Sequence, residues 1–197
     1  MISISTAECF THGILAREIH CLSQGYKDNF KSDYLDLVKQ IEKECLDDKK
    51  SDTVYDLNDL SLRYGLFIPT LDAVKSILNI KDPVKPLKLI KGIKVYDDEG
   101  DKEMSIMMAE ACRKISNTSI GIGTTAGIGY GGIAIVDEDF IISTSSDVKA
   151  NLMEDNYNNL YLRQISGIEK TLKILIYYLN NNFDKIHSLN NVNIIRK

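Results

Sequence analysis

The chain has 197 residues, 44% of them hydrophobic and 26% charged, with a formal net charge of −4. That is enough for one compact domain with its own core, and the acidic balance excludes sequence-independent nucleic-acid binding, which needs a basic surface. No apolar run approaches the ~20 residues of a bilayer span and no basic segment leads into an apolar one, so a cytoplasmic protein off the membrane is expected.

Residues 2–6 form a first strand, apolar at alternate positions. A helix over 9–23 follows, with Leu15, Ile19 and Leu22 in a stripe at helical spacing and Gly25 as its stop. A second helix over 31–50 sets Tyr34, Val38, Ile41 and Cys45 on one face. With the polar loop after it, this stretch reads as a peripheral helical insertion, 31–59, on a single domain spanning 1–197. Leu60 to Ile68 is a strand stopped by Pro69, and Thr70 caps a helix through Leu78. One strand runs over 87–95, bent at Gly92, and leads to an acidic surface turn at 97–101.

A helix over 102–116 turns Met104, Met107, Met108, Ala111 and Ile115 inward. Ser119 to Gly123 is a strand that enters a glycine-rich stretch, 123–132. Ile133–Val136 and Phe140–Ser145 pair as a hairpin across the turn 137–139. The long helix 158–181 buries Leu160, Ile165, Ile168, Leu172, Leu175 and Leu179. Residues 185–197 are either a loose tail or an added edge strand. Strands alternating with helices, plus one hairpin, give a three-layer α/β/α sandwich around a mixed, mostly parallel sheet.

Cys9 stands where the first strand passes into its helix. Backbone N–H groups of a helix's first turn lack intrahelical partners and carry partial positive charge, which favours a thiolate. Glu8 opposes this with its own charge. Cys9 is therefore either a nucleophile or a small buried residue at a junction. His12 follows three positions later and, on a helix, shares its face; it either takes the thiol proton or packs. Thr6 and Thr11 bring hydroxyls to the same turn.

The stretch 123–132 holds five glycines in ten positions. It lacks the ending of a phosphate-binding loop, and a strand follows where a dinucleotide fingerprint needs a helix. It is a glycine-rich turn or a nest of N–H groups for an anion. The four cysteines, Cys9, Cys21, Cys45 and Cys112, form no CxxC pair and no cluster with histidine, so reduced thiols and no metal site are expected.

The residues Thr6-Ala7-Glu8-Cys9-Phe10-Thr11-His12-Gly13, then Arg17-Glu18-Ile19-His20, Thr125-Ala126-Gly127-Ile128-Gly129 and Gly167-Ile168-Glu169-Lys170, resemble the HcgF family of methanogenic archaea. That family helps to make the iron-guanylylpyridinol cofactor of the iron hydrogenase. The resemblance implies that Cys9 attacks the carboxylate of guanylylpyridinol after a separate enzyme has adenylylated it, expelling AMP and holding the pyridinol as a thioester. It implies His12 beside the nucleophile, and Thr6, Glu8, Thr11, Thr124, Thr125, Ala126, Gly127 and Gly129 around the ligand. A homo-oligomer is expected, with no tightly bound cofactor beyond that ligand.

A more distant resemblance is to the C-terminal domain of the CinA family, which deamidates nicotinamide mononucleotide and shares the expected fold. There a serine holds the position of Cys9, a glycine that of His12 and a proline that of Ile128, departures that argue against amide hydrolysis. A CinA-like amidohydrolase and a non-catalytic guanine-nucleotide-binding module are the alternatives.

Overall fold

The computed structural model describes every residue except 48–54, 56 and 155. The end of the helix expected over 31–50 and most of the polar loop expected after it lie outside the described residues.

Strand β1 (Ile2–Glu8) leads through a turn to α1 (Ile14–Ser23), and α2 (Leu35–Asp47) follows. Next come β2 (Leu60–Phe67), α3 (Leu71–Ser76), β3 (Lys88–Ile90), β4 (Ile93–Val95) and α4 (Asp98–Ser116). The second half holds β5 (Ile120–Thr125), β6 (Ile128–Gly129), β7 (Gly132–Val136), β8 (Phe140–Thr144), β9 (Ala150–Asn151), α5 (Tyr157–Leu179), α6 (Phe183–His187) and β10 (Asn193–Arg196).

The main sheet has the order β10-β8-β7-β5-β1-β2. It is mixed, as the alternation of elements requires, but parallel pairing is confined to β2-β1-β5. The short links into β7 and β8 permit only antiparallel pairing there, and β10, returning through α5 and α6, also runs antiparallel to β8. The C-terminal segment is thus the edge strand of the two expectations, preceded by a short helix.

Helices cover both faces of the sheet. On one, Ile4 packs with Leu15 and Ile19 of α1, Val38 and Ile41 of α2, and Leu172 and Leu175 of α5. On the other, Ala7 packs with Met104, Met108 and Cys112 of α4. The alternation along β1 that divides Ile4 from Ala7 is the period of two on which the layering rests. No helix among the described residues is long and apolar enough to cross a membrane.

Three local expectations are corrected. The strand expected over 87–95 is a hairpin, β3 against β4, because Lys91 and Gly92 both take positive φ (49° and 83°) and reverse the chain. The acidic turn at 97–101 is the start of α4: the Asp97 side chain caps it, accepting from Gly100 N at 2.9 Å, and Asp98, Glu99 and Asp101 fill the first turn, where carboxylates are favoured. Asp101 is wholly buried, not solvated. Ile115 is 52% exposed, because Gly121 packs against Ala109 and Arg113 and the last turn of α4 overhangs the start of β5.

Helix α4 lies directly on the backbone of β5. A Cβ at Gly123 would stand 2.0 Å from the Ser105 carbonyl oxygen, and one at Gly121 2.1 Å from that of Ala109. Backbone cannot give way as a flexible side chain can. Gly123→Ala is therefore expected to cost about 3 kcal/mol, the upper part of the range for overpacking, read as a lowered urea midpoint at unchanged slope.

Candidate active site

Strand β1 runs further than the apolar pattern indicates, and α1 begins only at Ile14. Residues 9–13 are a turn, with His12 and Gly13 both at positive φ (54° and 79°). The reason is Glu8. Its buried carboxylate accepts from Leu15 N at 3.2 Å and Ala16 N at 2.8 Å, so it occupies the N-terminus of α1 itself. Thr6 Oγ1 (2.8 Å) and Thr11 Oγ1 (2.7 Å) donate to the same carboxylate. Burial raises the Glu8 pKa above the usual carboxylate range, and these four donors oppose the rise. Thr11 Oγ1 stands 2.8 Å from Thr124 Oγ1; since the Thr11 proton goes to Glu8, Thr124 is the donor between them. Thr124 in turn holds the turn's first residue, its carbonyl accepting from Cys9 N at 2.8 Å.

This geometry corrects two expectations about the thiol. The helix end is not free to stabilise a thiolate, because Glu8 already fills it. His12 does not share a helical face with Cys9, because no helix runs through residue 12. Its ring meets Phe67 edge-on, with centroids 5.3 Å apart, and partial burial lowers its pKa, favouring neutral imidazole.

Cys9, Phe10 and His12 form one wall of a cavity of about 310 Å³. Phe67, Pro69 and Ile93 form a second, and Ala126 also lines the cavity. The first half of α5 with the residues before it closes the third through Leu152, Tyr157, Leu160, Tyr161, Arg163 and Gln164. Gln164 Nε2 donates to the Phe10 carbonyl at 2.9 Å and fixes the turn to α5. A Cβ on Gly167 would meet the Phe10 ring at 2.5 Å, so that glycine is where the ring seats.

Of the residues expected around a ligand, Cys9, His12 and Ala126 line this cavity. Thr6, Glu8, Thr11, Thr124 and Thr125 are fully buried, and all but Thr125 belong to the hydrogen-bonded layer behind Cys9. The loop expected as an anion nest has its N–H groups committed within the fold. Gly127 N donates to Asp101 Oδ2 (2.7 Å), Ile128 N to the Tyr96 carbonyl (2.8 Å) and Tyr130 N to Asp98 Oδ1 (2.6 Å). The glycines serve close packing: a Cβ at Gly127 would lie 2.4 Å from the Tyr96 backbone.

The cavity instead has two buried cations beside it, neither of which the sequence reading singled out. Arg163 is 2% exposed; its Nη1 donates to the carbonyls of Gly127 (3.2 Å), Gly129 (3.0 Å) and Ala150 (3.0 Å), while Nε has no partner among the described residues. Lys94 is wholly buried on β4, donating to the carbonyls of Ile68 (2.7 Å) and Pro69 (3.2 Å), with the Cys9 side chain near enough to favour its charged form. Burial lowers the pKa of both cations, opposed by the nearby Asp101 and Cys9. A signal existed for two of these residues. Asp101 falls three and seven positions before Met104 and Met108, and Arg163 four before Gly167, so both lie on the inner stripes of their helices. Lys94 alternates with apolar neighbours, the pattern of a solvent-facing strand position.

The Asp101 carboxyl is pushed up to about 7, chiefly by burial, against the pull of Gly127 N–H, Arg163 and Thr125. The folded protein thus keeps a proton that the unfolded chain releases near 3.8, and stability falls as pH rises from there to about 7, then levels. Asp101→Asn keeps the acceptor for Gly127 and should flatten that slope, worth a few kcal/mol in wild type. Urea melts at mildly acidic and neutral pH would show it.

The family of FeGP cofactor biosynthesis protein HcgF matches residues 1–179 of this chain. A UPF0254 protein of Methanothermobacter thermautotrophicus strain Delta H is 40% identical over 179 residues, covering 91% of this chain and 99% of the relative. The counterpart from strain Winter is 43% identical over 175 residues (89% and 94%), and a UPF0254 protein of Methanocaldococcus jannaschii 36% over 183 (93% and 99%). With the match running from β1 to the end of α5, and so through every element that builds the cavity, the chain belongs to the HcgF family of FeGP cofactor biosynthesis proteins.

Proposed function

We propose that the protein binds guanylylpyridinol in this cavity and takes its carboxyl carbon onto Cys9 as a thioester, the precursor of the cofactor's acyl–iron ligand. The observation that carries the reading is the placement of Cys9, a thiol on the wall of an apolar cavity with Lys94 beside it and Arg163 in the facing wall. A free carboxylate is a poor electrophile, and an AMP ester makes it a good one, so a separate adenylylating enzyme must act first. The thiolate then attacks the acyl carbon, the C–S bond forms, the C–O bond to phosphate breaks, and AMP departs with that electron pair.

About 310 Å³ holds a substituted ring and not a nucleotide in addition. The pyridinol therefore enters, and the guanosine part stays at the mouth, where Tyr157 and Tyr161 present exposed faces for stacking. Arg163 supplies positive charge for the carboxylate or phosphate near the wall. Intact-protein mass spectrometry after incubation with the pyridinol, ATP and the adenylylating enzyme tests the reading. The expected result is one acyl adduct per chain, released by hydroxylamine. A protein that binds the pyridinol and gains no mass would sink it.

A further inference from the structure

Both devices that the sequence offered for ionising Cys9 are engaged elsewhere: Glu8 occupies the N-terminus of α1, and the His12 ring packs against Phe67. The cation that the fold brings beside residue 9 is Lys94. Ile68 N donates to the Glu8 carbonyl at 2.6 Å, so the carbonyl of Ile68 points toward the strand position just past Cys9. In a continuing parallel ladder the N–H of residue 10 would take that carbonyl. The chain has turned away there, and the Lys94 Nζ takes it instead, together with the carbonyl of Pro69. Two donors on two carbonyls are what a neutral amine has to give; its lone pair remains for the thiol. An ammonium has a third N–H, which then points at a thiolate. The same fixed geometry serves both protonation states.

We propose that Lys94 is the proton acceptor and counter-ion of Cys9. The Sγ–H bond breaks with its electron pair left on sulfur, an Nζ–H bond forms, and the pair passes from thiol and amine to thiolate and ammonium with no change in net charge. This deepens the acyl-acceptor reading and rests on it for what the thiolate attacks. The other titratable groups around the thiol are Glu8 on its own strand, His12 in the turn, Tyr96 after β4, Asp101 on α4 and Arg163 on α5. Tyr96 donates its hydroxyl to the Val84 carbonyl (2.9 Å), Asp101 accepts from Gly127 N, and Arg163 has no proton to exchange near neutrality. Burial lowers the Lys94 pKa, which brings the amine form within reach.

The test needs no acyl donor. Iodoacetamide alkylation is followed from acid to alkaline pH by intact mass, with peptide mapping to assign Cys9 among four buried cysteines. Lys94→Met should move the profile to higher pH and slow alkylation near neutrality about tenfold, one unit of displacement. Lys94→Arg, which keeps the cation, should recover most of that rate, and His12→Gln should leave the profile in place. A Lys94→Met profile superposable on wild type would overturn the proposal, as would displacement by His12→Gln alone. Should Lys94→Met fail to fold by circular dichroism, the ¹³Cε resonance of Lys94 in the otherwise intact protein decides. Its titration midpoint should shift between wild type and Cys9→Ser, and an unmoved midpoint refutes the coupling. Normal Cys9 alkylation with no adduct from the acyl-adenylate fails the acyl-transfer reading alone. An adduct with an unmoved Lys94→Met profile fails Lys94 alone.

Discussion

Cys9→Ala is expected to gain no acyl mass from the activated pyridinol, with acylation of the protein reduced at least about 10⁴-fold, as for loss of a nucleophile that acts as part of a unit. The substitution removes one sulfur from a cavity wall and leaves intact the layer behind it. Thr124 still receives the backbone N–H of residue 9, and Glu8 still holds Thr6, Thr11 and the start of α1. Binding of guanylylpyridinol should therefore survive within a few-fold, and calorimetry beside mass spectrometry separates the two. Cys9→Ser is the sharper variant. It keeps the shape, but serine is a far weaker nucleophile with no thiolate to form, so adduct formation should be nearly as poor as in Cys9→Ala. A persistent adduct in Cys9→Ala would place the acyl group on another residue.

Arg163→Met carries the second large effect. One guanidinium nitrogen satisfies three carbonyls, from Gly127, Gly129 and Ala150. Methionine fills similar volume and withdraws that donor; the Gly127 carbonyl keeps Leu152 N at 3.1 Å, while those of Gly129 and Ala150 lose the guanidinium, at about 1–3 kcal/mol each where water cannot enter. A loss near 4 kcal/mol is expected, seen as a lowered urea midpoint. It also removes the cation above the Phe10 ring, whose centroid lies 5.9 Å from Cζ. Arg163→Lys keeps the charge but not the fan of donors, so it should recover only part of the stability. Pyridinol binding should weaken in both variants, more in methionine, since that variant loses the positive charge as well as the loop's anchor.

The frame of the fold was legible where one physical signal dominated. The stripes of α1 and α5 and the β7–β8 hairpin followed from periodicity and turn residues. What escaped was decided by single side chains acting over distance. The chain pattern through residues 9–13 reads as helix, and only the Glu8 carboxylate reaching forward to Leu15 and Ala16 makes it a turn. The glycines near 127 pointed correctly to a close approach, but the partner approaching is the chain's own Tyr96 and Asp101. Lys94, Asp101 and Arg163 are charged residues in a sequence one quarter charged; helical spacing alone sets Asp101 and Arg163 on inner stripes, and nothing local marks Lys94 as taken out of water. Cys9 stood out as a thiol where a strand passes toward a helix; its surroundings did not.

The seating of β1 between β2 and β5 has a consequence for biosynthesis. Cys9 leaves the ribosome well ahead of Thr124, which holds its amide from 115 positions later. Loop closures of that length come late, and contacts between distant segments slow the search. Until residue 125 has emerged, the nascent chain carries an ordinary thiol without its cavity. The reactivity proposed for Cys9 would thus arise as a product of completed folding, and its onset during refolding would time the closing of the central strands.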